Sequence, residues 1–272
     1  MNIAQALVAR GEADSYERQE AAWLLEHILG INALELKLQL ELELTDIQAQ
    51  AYIDGLARIE KGEPLAYVTG SQPFWTLDLK VTADTLVPRP DTEILVETVL
   101  KLPLHQQANI VDLGTGTGAI ALSLAMERPQ WQVTATDIYQ PTLDVAKENA
   151  ARYGLDQLHF ACGAWFDALL PQKFDLIVSN PPYIDPNDLH MQKLGAEPER
   201  ALVAEHQGLA DLEIIVIQGK NWLKPLGWSA VEHGYDQGDA VRKLFEQQGF
   251  TQIQTIQDYG GNDRVSLACL SE

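Results

Sequence analysis

The sequence predicts an α/β fold: a mostly parallel sheet ending in an antiparallel hairpin, preceded by a small helical domain. Three observations carry this. Short strand-like runs rich in apolar or β-branched residues, at 110–113, 131–136 and 174–179, alternate with amphipathic helical stretches, the pattern of parallel strands joined by crossover helices. Residues 1–72 show helical apolar faces and helix caps but no β-branched alternation. The last two strand candidates, 251–257 and 265–270, are joined by the glycine-rich Asp258-Tyr259-Gly260-Gly261-Asn262-Asp263-Arg264, which suits a hairpin at the end of an otherwise parallel sheet.

At 272 residues the chain has room for one large domain or two modest ones. Its hydrophobic share of 46% is ordinary for a globular protein, and no window approaches the ~20 apolar residues of a membrane span. Met1-Asn2-Ile3-Ala4-Gln5 lacks a basic segment followed by an apolar one, so no secretory signal is expected and the expected location is cytoplasmic. Cys162 and Cys269 lie far apart in strand-like segments, which predicts two buried thiols rather than a disulfide. No Cys/His cluster has metal-ligand spacing, so no metal is expected. Charge is more telling: 19 Lys and Arg against 39 Asp and Glu give a net −20 and a pI near 4.5. A protein whose main contact is a phosphate backbone carries a basic face, so this balance argues against direct nucleic-acid binding. No membrane partner is expected either.

In the helical domain, Asp14 or Ser15 caps a segment whose Ala21, Leu24, Leu25 and Ile28 share one face, and Gly30 ends it. Residues 34–44 alternate Leu with Glu, Lys or Gln. Alternation suggests a strand, but these are strong helix formers without a β-branched residue, so a short helix after Asn32 and then a loop is expected. Thr45-Asp46-Ile47-Gln48 fits a capping box for a helix carrying Ile53, Leu56 and Ile59, stopped by Gly62 and Pro64. Nothing here has catalytic chemistry, and the domain reads as a substrate-binding module or a structural cap.

Residues 73–85 read as a hairpin-like linker, with the domain boundary near residue 80; 74–81 alternate like a strand. Residues 86–272 form the second domain. Pro88 and Pro90 fix an extended entry, and Asp91 or Thr92 caps a helix carrying Ile94, Leu95, Val96 and Val99. Ile110-Val111-Asp112-Leu113 is a strand running into Gly114-Thr115-Gly116-Thr117-Gly118 and a helix over 119–127. Glycines let a backbone pass close to a ligand, and the helix start offers unpaired N–H groups. The spacing is not that of a phosphate-binding loop, since no Lys follows Gly118, nor a clean dinucleotide fingerprint. The next strand, 131–136, closes on Asp137, where a carboxylate can accept both hydroxyls of a ribose or cap the helix expected over 143–153. A strand near 158–161 precedes Trp165, suited to an adenine face or to the core. Further on, a helix over 209–223, a strand over 228–232 and a helix over 238–248 complete the sheet.

Between them, the strand 174–179 ends in Asn180-Pro181-Pro182-Tyr183. Two prolines cannot continue a central strand, because neither has a ladder donor, so an amide, a rigid diproline and a ring are held at the carboxyl end of a strand. That is where open α/β sheets bind ligands. Taken alone, the tetrapeptide also fits a strand-ending turn with a buried Tyr.

Taken together, the glycine loop, Asp137 and Asn180 to Tyr183 resemble the class I (Rossmann-like) S-adenosylmethionine-dependent methyltransferases, and the tetrapeptide resembles the signature of those that methylate a planar nitrogen. The closer resemblance is to the protein-(glutamine-N5) methyltransferases of peptide chain release factors, the PrmC/HemK family. It is carried by Glu63-Pro64-Leu65-Ala66-Tyr67, Phe74-Trp75, residues 86–93, the glycine loop, Asn180 to Tyr183, Glu232-His233-Gly234 and residues 258–264, in the family's order. The helical N-terminal domain agrees in character more than in motif.

The resemblance implies S-adenosyl-L-methionine as cofactor, S-adenosyl-L-homocysteine as product, and the Gly-Gly-Gln glutamine of class I release factors as target. It implies cofactor contacts from Gly114, Thr115, Gly116, Thr117, Gly118, Asp137, Trp165 and Asn180. It implies substrate contacts from Asn180, Pro181, Pro182 and Tyr183, with Asn180, Pro181 and Tyr183 catalytic. A glutamine nitrogen is a poor nucleophile because its lone pair is delocalised. Acceptors at Asn180 Oδ1 and the Pro181 carbonyl would hold its two N–H groups and strengthen as charge builds on nitrogen. Relatives carry an acidic residue before the Trp where this chain has Ala164, which removes a candidate acceptor for the adenine amino group. Rival readings are a glutamine methyltransferase for a ribosomal protein, an adenine-N6 or guanine-N2 nucleic-acid methyltransferase, and a non-catalytic adaptor.

Overall fold

The computed structural model describes residues 1–188 and 195–271. The chain divides into two compact units, Met1–Ser71 and Gln72–Glu272. In the first, α1 (Ile3–Val8), α2 (Tyr16–Leu29), α3 (Ala33–Leu38), α4 (Asp46–Glu60) and α5 (Leu65–Thr69) follow one another. Caps set their limits. Ser15 Oγ accepts from the Arg18 N–H at 3.2 Å, and Gly30 closes α2 at φ 66°. Asn32 with Glu35 and Thr45 with Gln48 form reciprocal capping boxes. The alternating Leu stretch is therefore helical first, with Leu36 buried and Leu34 and Leu38 exposed. The core gathers Ile3, Leu24, Leu25 and Tyr52, whose hydroxyl donates to the Ala6 carbonyl at 2.9 Å.

The second unit opens on a hairpin, β1 (Ser71–Phe74) and β2 (Leu77–Lys80). The alternating run 74–81 is thus broken in two, because Trp75 takes φ 56° and turns the chain. Phe74, Leu77 and Leu79 are buried in the larger of this unit's two cores.

The main sheet has the order β5-β4-β3-β6-β7-β9-β8 among the described residues. β3 (Asn109–Leu113), β4 (Gln132–Asp137), β5 (His159–Cys162), β6 (Phe174–Ser179) and β7 (Leu223–Glu232) are parallel; β9 (Asp263–Leu270) runs antiparallel to β7 and to β8 (Phe250–Gln257). Alternate residues serve opposite faces. Ile110, Leu176 and Val178 join the core shared with α6 (Thr92–Leu100) and α7 (Ala119–Glu127), whereas Val111, Leu113 and Ile177 join the core beneath α10 (Ala210–Gly219) and α11 (Gly238–Gln247). Between α7 and α10 lie α8 (Gln140–Arg152) and the short turn α9 (Glu205–Gly208), in which His206 and Gln207 take positive φ. β3 has β4 on one side and β6 on the other, so the chain changes winding direction there. A crevice opens between the ends of β3 and β6, at the topological switch point.

Several boundaries differ from expectation. α8 starts at Gln140, not 143, since Pro141 suits a first turn. The helix expected over 209–223 stops at Gly219, and β7 starts at Leu223, not 228. Pro225 does not end β7: the register jumps from Phe174↔Leu223 to Leu176↔Trp228, so Lys224 to Gly227 bulge out, with Leu226 at φ 62°. Asp91 holds the cap position of α6 without a side-chain cap, its Oδ2 pairing instead with Arg264 at 3.2 Å. Cys269 is buried, but Cys162 is exposed, because β5 is an edge strand and the thiol sits at its end.

Candidate active site

The crevice is built from three strand ends. Behind β3, Asp112 is wholly buried; its Oδ2 accepts from the Thr115 hydroxyl at 2.6 Å and the Ala121 N–H at 3.2 Å. Burial pushes its carboxyl up to about 7, against these two bonds. Asp112 thereby clamps the loop to the start of α7. The loop turns sharply at Gly114 (φ 72°) and Gly118 (φ 87°). A Cβ on Gly114 would stand 3.3 Å from the Trp165 ring, and one on Gly118 would stand 2.4 Å from Leu122 Cδ1, so both shape and conformation demand glycine.

At the end of β4, Asp137 Oδ2 accepts from the Gly116 N–H at 3.1 Å and Oδ1 from the Tyr139 N–H at 3.0 Å. Burial raises its pKa; these N–H bonds and the charge of Arg200 oppose the rise. The Ile138 N–H neighbours the same carboxylate, which borders the first cavity and can still accept from a diol there. Trp165 takes φ 47° in a single 3₁₀ turn and lies against Gly114, with Asp211 bonded to its side chain.

At the end of β6, Asn180 Nδ2 donates to Thr92 Oγ1 at 3.0 Å, and its Oδ1 is an acceptor without a hydrogen-bond donor among the described residues. The Tyr183 hydroxyl donates to Glu232 Oε1 at 3.1 Å. Burial drives the Tyr183 pKa upward, so it stays protonated, and pushes Glu232 up to about 7.

These residues border two cavities. One, of about 280 Å³, is lined by Gly114, Thr115, Gly116, Thr117, Asp137, Trp165, Asn180 and Pro182 of the residues singled out from sequence. The other, of about 310 Å³, is lined by Pro181 and Tyr183, again by Asn180, and by Arg89, Asp91 and Arg264. Asn180 faces both. Gly118 borders neither cavity and instead occupies the cap position of α7.

Sequence reasoning missed several participants. Thr92 was expected only as a helix cap, yet its buried hydroxyl orients Asn180. Glu232 stood in a family-like stretch without a role. Arg200 stacks on the Tyr139 ring at 4.2 Å beside Asp137, and both line the first cavity. Arg89 pairs with the buried Glu197 at 2.5 Å. These contacts join remote segments, and the one local signal was a polar Thr among apolar neighbours at 92.

Comparison with known proteins agrees with this arrangement. Residues 89–204 match the methyltransferase small domain and residues 2–70 the PrmC N-terminal domain. In fold, the chain resembles a methyltransferase from Pyrococcus furiosus, at 18% identity and TM-score 0.57, covering 80% of this chain and 99% of that one. It also resembles the hMettl16 catalytic domain solved with the MAT2A 3′UTR hairpin 1, at 19% identity and TM-score 0.58, covering 85% and 83%. Sequence relatives are nearer. The release factor glutamine methyltransferase of Salmonella typhimurium is 46% identical over 252 residues, 92% of this chain and 91% of the relative. That of Escherichia coli is 43% identical over 262 residues, 96% and 95%, and that of Coxiella burnetii 40% over 268 residues, 98% and 96%. With identity at this level over nearly the whole length of both partners, the chain belongs to the release factor glutamine methyltransferase family.

Proposed function

We propose that the chain transfers the methyl group of S-adenosylmethionine to the side-chain amide nitrogen of the glutamine in the Gly-Gly-Gln motif of class I peptide chain release factors, and so modulates translation termination. Asn180 carries the reading: one residue borders two cavities, with the donor end of its amide held by Thr92 and its acceptor end unpartnered among the described residues. The names of the sequence relatives support the substrate.

The first cavity suits the cofactor. The glycines at 114, 116 and 118 let the loop present its backbone, the Asp137 carboxylate borders the cavity as an acceptor for a diol, and Trp165 offers a flat face. Ala164 contributes no acceptor there. Bound in this cavity, the cofactor supplies an activated methyl on sulfonium sulfur, so the protein's own work is orientation. Asn180 Oδ1 and the Pro181 carbonyl accept the two N–H bonds of the target amide, and Tyr183 packs on its plane next to Pro182. As positive charge builds on the nitrogen, those acceptors hold it more strongly. The methylated nitrogen is acidic and sheds its proton without a dedicated base. Residues 1–72 serve as the substrate-binding module, 73–85 as the connection, and the cytoplasm as the place of action. Among the described residues, no helix is long and apolar enough to cross a membrane.

A net charge of −20 favours a protein partner over a nucleic acid. The test is incubation with methyl-labelled S-adenosylmethionine and, separately, a purified class I release factor, ribosomal protein and DNA. Label is expected in the release-factor glutamine. Label in nucleic acid alone would overturn the proposal.

A further inference from the structure

Glu232 ends β7 at 1% exposure, next to the wall that carries Asn180. Its Oε1 accepts from the Tyr183 hydroxyl at 3.1 Å, and its Oε2 meets no strict hydrogen-bond partner among the described residues. The Thr92 hydroxyl neighbours the same carboxyl. On its other side Thr92 Oγ1 accepts from Asn180 Nδ2 at 3.0 Å.

A hydroxyl has one proton to give and two lone pairs. Because Thr92 Oγ1 already accepts from Asn180, its proton needs an acceptor, and in a site 4% exposed the neighbouring carboxylate is the group that takes it. Tyr183 spends its proton on the same group. The donations then run one way, from Asn180 through Thr92 to Glu232, and from Tyr183 to Glu232. A carboxylate can only accept; a neutral group there can also donate, which would turn the Thr92 hydroxyl round toward Asn180. An Asn180 amide facing a donor flips, and its N–H groups, not its oxygen, then face the second cavity.

We propose that Glu232 is a positioning residue whose carboxylate, acting through Thr92 and Tyr183, fixes which face of the Asn180 amide meets the substrate. This rests on the reading that Asn180 Oδ1 accepts from the target glutamine. The surroundings make Glu232 sensitive to pH. Burial pushes its carboxyl up to about 7; the Thr92 and Tyr183 hydroxyls and Arg264 oppose the rise, and Asp91 adds to it. Arg264 is shared with Asp91 and Asp258, at 3.2 and 3.0 Å. The neighbouring His233 holds Ser266 at 2.8 Å, and burial lowers its pKa.

The experiment compares methylation of a class I release factor by the wild-type chain, Glu232→Gln, Thr92→Val and the double variant across pH, with cofactor affinity measured by calorimetry on each. The wild-type kcat is expected to rise through an inflection near 7, where Glu232 ionises. Glu232→Gln is expected to lose the inflection and about tenfold in kcat on its alkaline side. Cofactor affinity stays unchanged in Glu232→Gln, a position that borders neither cavity, and within a few-fold in the Thr92 variants. The double variant falls no further than the worse single one, as for groups acting in series. A Gln variant that keeps both the wild-type kcat and its inflection overturns the proposal, as do additive losses in the double variant. Should Glu232→Gln not fold, Thr92→Val decides: it must also lose the inflection, and retention overturns the proposal. A wild-type chain that binds the cofactor but methylates no release factor removes the functional reading and this inference together. An active wild type with indifferent variants removes the inference alone.

Discussion

The two walls of the crevice are built on different principles. The glycine wall is backbone, braced by near neighbours in sequence: Thr115 on Asp112, and Gly116 on Asp137 in the next strand. The Asn180 wall is side chain, braced from afar, with Asn180 held by Thr92 and Tyr183 by Glu232. A backbone wall tolerates changes of side-chain chemistry but not of shape. A side-chain wall is the reverse: its shape survives small changes, and its function fails when one polar atom is removed.

The largest effect is therefore expected at Asn180. Asn180→Ala removes the acceptor that both cavities share, and loss of one such transition-state contact costs ~10²–10³ in kcat. The fold should hold, since among the described residues the side-chain bond lost is the one to Thr92. Labelled-methyl transfer to release factor reads the loss, and calorimetry should find cofactor affinity within a few-fold of wild type. Near-normal turnover would break the contrast between the walls at its strongest point.

Asp137→Ala comes next, and it separates the two roles of that carboxylate. Hydrogen bonds to a charged group are worth about 1.5–3 kcal/mol, so cofactor Kd should rise on the order of 10–100-fold while kcat at saturation changes little. An unchanged Kd would reduce Asp137 to a brace for Gly116 and Tyr139.

Gly118→Ala tests shape directly. The added Cβ would stand 2.4 Å from Cδ1 of the fully buried Leu122, which would have to shift, and the alanine would have to hold φ 87°. Strain and overpacking together should cost ~2–3 kcal/mol, read as a fall in Tm. If the variant melts like wild type, the loop is less constrained than its geometry implies.

The same contrast explains what was legible in the sequence. Gly114 to Gly118, Asp137 and Asn180 to Tyr183 announce themselves because strand, turn and helix follow one another locally, and each turn chemistry has a short-range cause. That the sheet is mostly parallel and closes on a hairpin followed from the same alternation, whereas the order of its strands is set by pairing between remote segments. Thr92 and Glu232 could not be paired with Asn180 and Tyr183 in this way: their partners lie far off in the chain, and only the sheet brings them together. The bulge in β7 was hidden for a related reason. Pro225 reads locally as a stop, while the pairing of Phe174 with Leu223 shows that the strand resumes around it. Cys162 turned out exposed because edge position is a property of sheet order, which no local pattern encodes.

The smallest expected effect concerns Asp112, the brace beneath the glycine wall. Its carboxyl is raised from 3.8 to about 7 by burial. A carboxyl raised on folding holds its proton in the native state after the unfolded chain has lost it, so its contribution to stability is full below the unfolded pKa. That contribution drains away as pH rises through the folded value. One pKa unit corresponds to about 1.36 kcal/mol, and partial relaxation of the site should leave an effect of ~1–2 kcal/mol. Asp112→Asn keeps an oxygen for Thr115 and Ala121 but has nothing to ionise. It should be the less stable protein at acid pH, where its amide N–H groups take the place of an oxygen, Oδ1, that has no partner among the described residues. The wild type should then lose Tm between about pH 5 and 8 faster than the variant, closing the gap. The net charge of −20 does not confound this, because ordinary carboxylates are already ionised across that window and are common to both proteins. Parallel Tm curves would mean that Asp112 stays ionised in the fold, and that the glycine wall is braced by charge after all.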